Sequence, residues 1–176
     1  KRFPTIMCIF LQANLWVLWF AHPMPKDDVL IHATAVALQG CGFLIKGPSG
    51  SGKSDLALRL LRVGGELIAD DQVVLKAEEG HLIASAPHNL RGLCEVRGLG
   101  VINLKFKDDH PIDYVIHLKP LTEIARYPLN PVFENINGIQ LPVIELNAFE
   151  ASVIDKILIL VEQKNLKKIA HGLSAN

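Results

Sequence analysis

The chain has no surplus of charge in either sense: 18 Lys and Arg balance 18 Asp and Glu over 176 residues. That balance provides no overall basic field for nucleic acid and no acidic excess for a solvating tail, so recognition must rest on local groups. Cysteine is scarce, with Cys8, Cys41 and Cys94 alone. An odd number at spacings that fit no zinc pattern points away from a metal site and towards buried thiols of a reducing compartment. Internal repeats and low-complexity tracts are also missing. What is plentiful is apolar residues, at 49%. At about one domain's length, that content is ample for a sizeable core.

One stretch carries a chemical signature. Gly47-Pro48-Ser49-Gly50-Ser51-Gly52-Lys53-Ser54 fits the P-loop pattern G-x-x-x-x-G-K-[ST] at every fixed position. An apolar run from Gly42 to Ile45 leads into it, and Asp55 to Leu61 follow with the spacing of an amphipathic helix. Strand, glycine loop and helix form the context that the motif requires. Glycines let the backbone wrap inward, so that successive N–H groups and the positive end of the helix face phosphates. Lys53 adds a mobile charge for the β- and γ-phosphates, and Ser54 offers a hydroxyl to Mg²⁺. The expected ligands are ATP and Mg²⁺, and such a site belongs in the cytoplasm, where ATP is.

Residues 1–23 read differently. Lys1-Arg2 precede an apolar run from Phe3 to Ala21, broken by Pro4, Gln12 and Asn14, which superficially resembles a signal peptide or short anchor. The run ends Trp19-Phe20-Ala21-His22-Pro23 without a small-residue cleavage pattern, whereas Met24 stands where a natural start would. The expectation is an apolar leader over 1–23 outside the functional domain, a catalytic domain over 24–176, and no membrane attachment. A membrane-attached version of the same enzyme is the alternative.

Downstream, Val29 to Leu38 and Gly42 to Lys46 predict a strand pair joined at Gln39-Gly40, and Glu66 to Ala69 a short strand after the Gly64-Gly65 break. Val73 to Ala77 and His81 to Ala86 predict a hairpin, Pro111 to Leu118 and Leu141 to Leu146 further strands, and Glu150 to Lys168 a helix. Residues 119–140 read as irregular. The sum is one α/β domain with a hairpin-rich sheet.

An apolar strand that exits into Asp70-Asp71, downstream of a phosphate loop, is the expected place for an acid that meets Mg²⁺ or the nucleophile. Neighbouring side chains there point in opposite directions, which predicts different roles for the two. His32, in an apolar strand, is by default a satisfied core residue. Glu95 and Arg97 share a face if their segment is a strand, placing a carboxylate for a metal beside a cation. Gly98 and Gly100 permit close backbone approach. Arg126, in a proline-rich stretch, is either a phosphate contact or a surface charge.

Ile31-His32, Gly47 to Asp55, Leu67 to Asp71 and Glu95-Val96-Arg97-Gly98-Leu99-Gly100-Val101-Ile102-Asn103 together resemble the catalytic domain of bacterial HPr kinase/phosphorylase. The Glu-x-Arg-Gly-Leu-Gly stretch is the most specific part of the likeness, which covers roughly residues 29–147 and is similar to the short form of the family. The resemblance implies a P-loop kinase domain of the HPr kinase/phosphoenolpyruvate carboxykinase-like type, with a mixed sheet, hairpins and flanking helices. It also implies ATP-dependent phosphorylation of a serine of HPr, the phosphocarrier protein of the phosphotransferase system, with a reverse phosphorolysis that releases pyrophosphate. Carried over, Lys53 contacts phosphates, Ser54 and Glu95 hold Mg²⁺, and Asp71 is the base, with Asp70, His32 and Arg126 completing the site. A homo-oligomer, a hexamer in the long form, is implied too, with the C-terminal helix a candidate contact. Where the long form has a basic, glycine-containing loop, this chain reads Glu145-Leu146-Asn147-Ala148-Phe149-Glu150, which touches the reverse reaction and partner docking. The rival readings are a P-loop phosphotransferase for a small molecule and a non-catalytic nucleotide-binding regulator.

Overall fold

The computed structural model describes residues 28–173, so the apolar leader and Cys8 lie outside the described residues. The described chain opens with β1 (Val29–His32) and β2 (Thr34–Leu38), and β3 (Cys41–Lys46) runs through the glycine loop into α1 (Lys53–Arg62). Next come β4 (Gly65–Ala69), β5 (Gln72–Glu78), β6 (His81–Ser85), β7 (Leu93–Val96) and β8 (Gly100–Asn103). β9 (His110–Ile112), β10 (Tyr114–Leu118), β11 (Val132–Ile136), β12 (Ile139–Leu146) and α2 (Val153–Leu173) complete it.

The central sheet has the order β11-β12-β10-β3-β2-β4, with β12, β10 and β3 parallel and the outer strands antiparallel. A second, antiparallel sheet has the order β1-β5-β6-β9, and β7-β8 form a separate hairpin. Alternation along the central strands explains the layering. Ala35, Ala37, Leu44 and Val115 face the second sheet, where Val73, Leu75, Leu82 and Ala84 meet them. Val36, Leu38, Phe43, Ile45 and Ile116 point the other way, onto Leu56 and Leu60 of α1 and Val153, Ile157 and Val161 of α2. β2 and β3 are therefore apolar on both faces, as strands covered on both sides must be.

The structure redraws four expected elements. The single strand expected over 29–38 divides at Ala33, so that β1 joins the second sheet through β5 while β2 pairs with β3. The strand expected over 111–118 divides in the same way at Asp113, which accepts the Gly42 N–H at 2.8 Å and returns its own N–H to the Gly42 carbonyl at 2.8 Å. The irregular stretch contains β11, turned into β12 by Asn137-Gly138, both with positive φ. An Asn-Gly pair between strands is a strong hairpin signal. The helix expected over 150–168 is α2, beginning at Val153 and burying Val153, Ile157 and Val161 while Leu166 is 63% exposed.

Candidate active site

β3 delivers the chain into the glycine loop at the carboxyl end of the parallel strands, where ligands of open α/β sheets collect. Gly52 takes φ 93° as the residue before α1, a conformation that a side chain resists, and a Cβ there would stand 2.8 Å from Ala148. Lys53 folds back on the loop, its ammonium donating to the carbonyls of Gly47 at 3.0 Å and Pro48 at 3.2 Å. Ser49, Gly50, Gly52, Lys53 and Ser54 line a cleft of about 400 Å³. The Ser51 hydroxyl is buried in the loop and lacks a hydrogen-bond partner in the protein. A buried polar atom left this way is costly unless something else meets it.

Across the cleft, β4 ends in the two expected carboxylates, and they differ as expected. Asp70 is buried at 5% exposure. Its Oδ1 accepts from the Thr34 hydroxyl at 2.8 Å and the Ser54 hydroxyl at 2.9 Å, and its Oδ2 from the Glu95 N–H at 3.2 Å. One side chain thereby ties together β2, α1 and β7. Behind it, burial pushes the Cys94 thiol up to about 12, helped by the Asp70 charge and a hydrogen bond to it. Cys41 and Cys94 are both buried, in keeping with inert structural thiols.

Asp71 sits in the open, with 66% of its side chain exposed. The Gln72 N–H bonds back to the Asp70 carbonyl at 2.8 Å while Asp71 takes φ 66°. That is a γ-turn of the strained, positive-φ kind, held at a side chain facing a cleft. The β1–β5 register pairs His32 with Gln72, which brings the imidazole to Asp71. Its Nδ1 lies 2.9 Å from the Asp71 carboxylate and 3.0 Å from the Asp71 carbonyl. With two oxygens facing it, Nδ1 carries the proton. His32 is thus exposed at a strand end in the second sheet, not a core residue beside β3.

Glu95 on β7 and Arg97 in the following turn line the same cleft, as do His32 and Asp71. Arg126 is not among the residues that line the cleft; it is exposed, in the loop between β10 and β11. Two residues with no signal in the sequence do belong here. Thr34 is fully buried under Asp70, and Phe149, 67% exposed, stands at the cleft beside Gly52. Phe149 is held by a short loop in which the Asn147 side chain accepts its N–H at 2.9 Å and donates to the Lys119 carbonyl at 2.9 Å. Arg59 of α1 donates to the Ala148 carbonyl.

The chain is similar in fold and sequence to known proteins. The solved Hpr(Ser) kinase/phosphatase of Coxiella burnetii has a TM-score of 0.70 at 30% identity, covering 80% of this chain and 98% of that one. The HPr kinase/phosphorylase of Caldicellulosiruptor bescii is 38% identical over 152 residues, 80% of this chain and 46% of its own. That of Chlorobium phaeobacteroides is 34% identical over 194 residues, 96% of this chain and 60% of its own. The chain spans about half the length of these curated relatives. The HPr Serine kinase C-terminal domain family matches residues 26–175, and the chain belongs to that family.

Proposed function

We propose that the chain transfers the γ-phosphoryl group of ATP to a serine of HPr, and that residues 24–176 carry this activity. The observation behind the proposal is the single cleft in which a glycine loop and helix N-terminus face an exposed carboxylate. In the reaction, Gly47 to Ser54 hold the triphosphate through backbone N–H groups, and Lys53 leaves its loop carbonyls for the phosphates. The Asp71 carboxylate takes the proton of the serine hydroxyl, the serine oxygen bonds to the γ-phosphorus, and the bond to the β-phosphate oxygen breaks to release ADP. His32 donates to Asp71 from Nδ1 and holds it towards the acceptor. Run backwards with inorganic phosphate as nucleophile, the same groups return the proton to serine and release pyrophosphate.

Among the described residues no group of three or more His, Cys, Asp or Glu forms a ready metal cage. Mg²⁺ does not need one, because it keeps several waters and binds through one or two carboxylates together with substrate phosphates. The donors around the loop are all hard oxygens, the Ser54 hydroxyl and the carboxylates of Asp70 and Glu95, and they fit that ion. Ser54 and Glu95 would hold it, Asp70 orienting Ser54, and it would supply charge for the phosphates. Arg126 completes the site in this proposal only if its loop folds over the cleft. Phe149 offers an aromatic face at the cleft mouth for the base.

ATP as donor places the reaction in the cytoplasm; among the described residues no helix is long and apolar enough to cross a membrane. Self-association through α2, which exposes Ile159 and Leu166, is part of the proposal. The test is incubation of the full chain with labelled ATP, Mg²⁺ and purified HPr, then a chase with phosphate. Label on an HPr serine that leaves with pyrophosphate supports both directions; ATP binding without label rejects the kinase.

A further inference from the structure

A second cavity of about 610 Å³ adjoins the first and shares His32, Asp71 and Glu95 with it. Its walls differ in kind. Leu30 and Ile31 of β1, Leu90 in the 3-10 turn His88–Leu90, Leu93 of β7 and Val101 of β8 make it predominantly apolar. Val101 is 66% exposed there. A concave apolar surface with a few convergent polar groups at one end is the usual form of a binding site.

The geometry of transfer says which reactant this cavity takes. In phosphoryl transfer the attacking and leaving oxygens lie roughly in line across the phosphorus. The leaving oxygen belongs to the glycine loop in the first cleft, and Asp71, which takes the proton of the attacking hydroxyl, is one of the three residues that this cleft shares with the apolar cavity. Whatever carries that hydroxyl brings its neighbouring atoms against Leu30, Leu90 and Val101. Beyond the shared rim the one charged residue on those walls is Asp70, whose carboxylate is already held by Thr34, Ser54 and the Glu95 N–H, so a phosphate-rich acceptor would find no cationic partner there. An apolar side chain beside the acceptor serine would.

We infer that this cavity seats an apolar residue flanking the acceptor serine of a protein substrate, with Leu90 and Val101 as specificity-determining residues. The inference rests on the kinase reading above and adds to it which sequences around a serine are accepted.

The test uses the full chain with HPr as acceptor at saturating ATP and Mg²⁺, comparing the unmodified protein with Val101→Ser, Leu90→Ser and Val101→Ile. Removing apolar contact from a pocket costs on the order of tenfold in discrimination. The acceptor KM should therefore rise about tenfold in each Ser variant, with kcat and nucleotide affinity unchanged, while Val101→Ile keeps the original KM. Val101 is exposed enough for a polar substitution to leave the fold intact, so it decides the question even if Leu90→Ser unfolds. Transfer by the unmodified chain with an unaltered acceptor KM in Val101→Ser overturns the cavity assignment alone. A change in oligomer mass in Val101→Ser with acceptor KM unaltered also overturns it, marking the cavity as a contact between copies. If the unmodified chain transfers nothing, the kinase reading fails and this inference with it.

Discussion

Asp70 and Asp71 are neighbours in the chain and opposites in setting. Asp70 is sealed beneath the glycine loop with two hydroxyls and a backbone N–H directed at its oxygens. Asp71 projects from a strained turn into solvent between two cavities, steadied by one imidazole. A buried carboxylate that holds three donors from three elements is a strut. One that faces an open cleft can accept a proton and release it. The backbone reversal at Asp71 separates the two tasks within one peptide unit, and substitutions at the two positions should therefore fail in different ways.

The largest effect is expected at the exposed member. Asp71→Asn should lower phosphoryl transfer by about 10²–10⁴, the usual contribution of a positioned general base. Nucleotide affinity and the urea midpoint should stay put, because the side chain is solvated and its one partner, His32, is itself exposed. Single-turnover kinetics beside equilibrium ATP binding would show this; normal turnover would move the base elsewhere. Asp70→Ala should invert the pattern. It strands the buried Thr34 hydroxyl and releases the Ser54 hydroxyl and the Glu95 N–H at the cleft, at a stability cost on the order of 1–3 kcal/mol for the unsatisfied group. Urea unfolding should report that loss, with weaker nucleotide binding because Ser54 is no longer oriented.

The sequence shows why one side of this corner is legible and the other is not. Gly47 to Ser54 announces itself because phosphate binding needs glycine, lysine and a hydroxyl at fixed spacing on one continuous segment. The Asp70-Asp71 pair is visible as acids at the exit of an apolar strand, and the prediction that they diverge rests on strand geometry alone. His32 misleads because β1 and β2 form one unbroken apolar run, and period-two alternation cannot reveal that the chain changes sheets at Ala33. The break at Asp113 is hidden for the same reason: its cause is a pair of hydrogen bonds to Gly42, 71 residues away. β11 is marked in the sequence by Asn137-Gly138, but Pro120, Pro128 and Pro131 before it give the stretch an irregular pattern. Thr34 and Phe149 act through contacts between distant segments, so no local pattern marks them.

A finer probe of the buried side is Thr34→Val, which removes one donor to Asp70 and keeps nearly the same shape. The loss of a single neutral donor to a charged acceptor should cost about 1.5–3 kcal/mol alone and much less in the Asp70→Ala background, where the hydroxyl has already lost its partner. Equal costs in the two backgrounds would mean that Thr34 matters for packing and that Asp70 is held by Ser54 and Glu95.

The smallest effect is expected at the far end of β3, remote from both carboxylates. His110 is buried beside Gly42, its Nδ1 2.8 Å from the Pro111 carbonyl. Burial pulls its pKa below the ordinary 6.5; the carbonyl contact and Asp113 work against that shift, while Lys107 and Lys164 reinforce it. The native state thus binds fewer protons at this position than the unfolded chain. The contribution to stability is full above the unfolded value of 6.5 and is lost as pH falls below it towards the folded value. Unfolding free energy measured on either side of pH 6.5 should show this positive slope, and His110→Asn should flatten it without altering transfer at neutral pH. A slope around pH 6.5 that survives the substitution would assign this acid sensitivity to another group that titrates near neutrality. Glu134 acts in a separate, more acidic window: burial opposes its charged form, but its bonds to Lys46 and His117 outweigh that and hold its pKa below the usual 4.5, so its contribution is lost only as pH falls below 4.5. Either result separates the acid sensitivity of the scaffold from the chemistry of the Asp70-Asp71 corner.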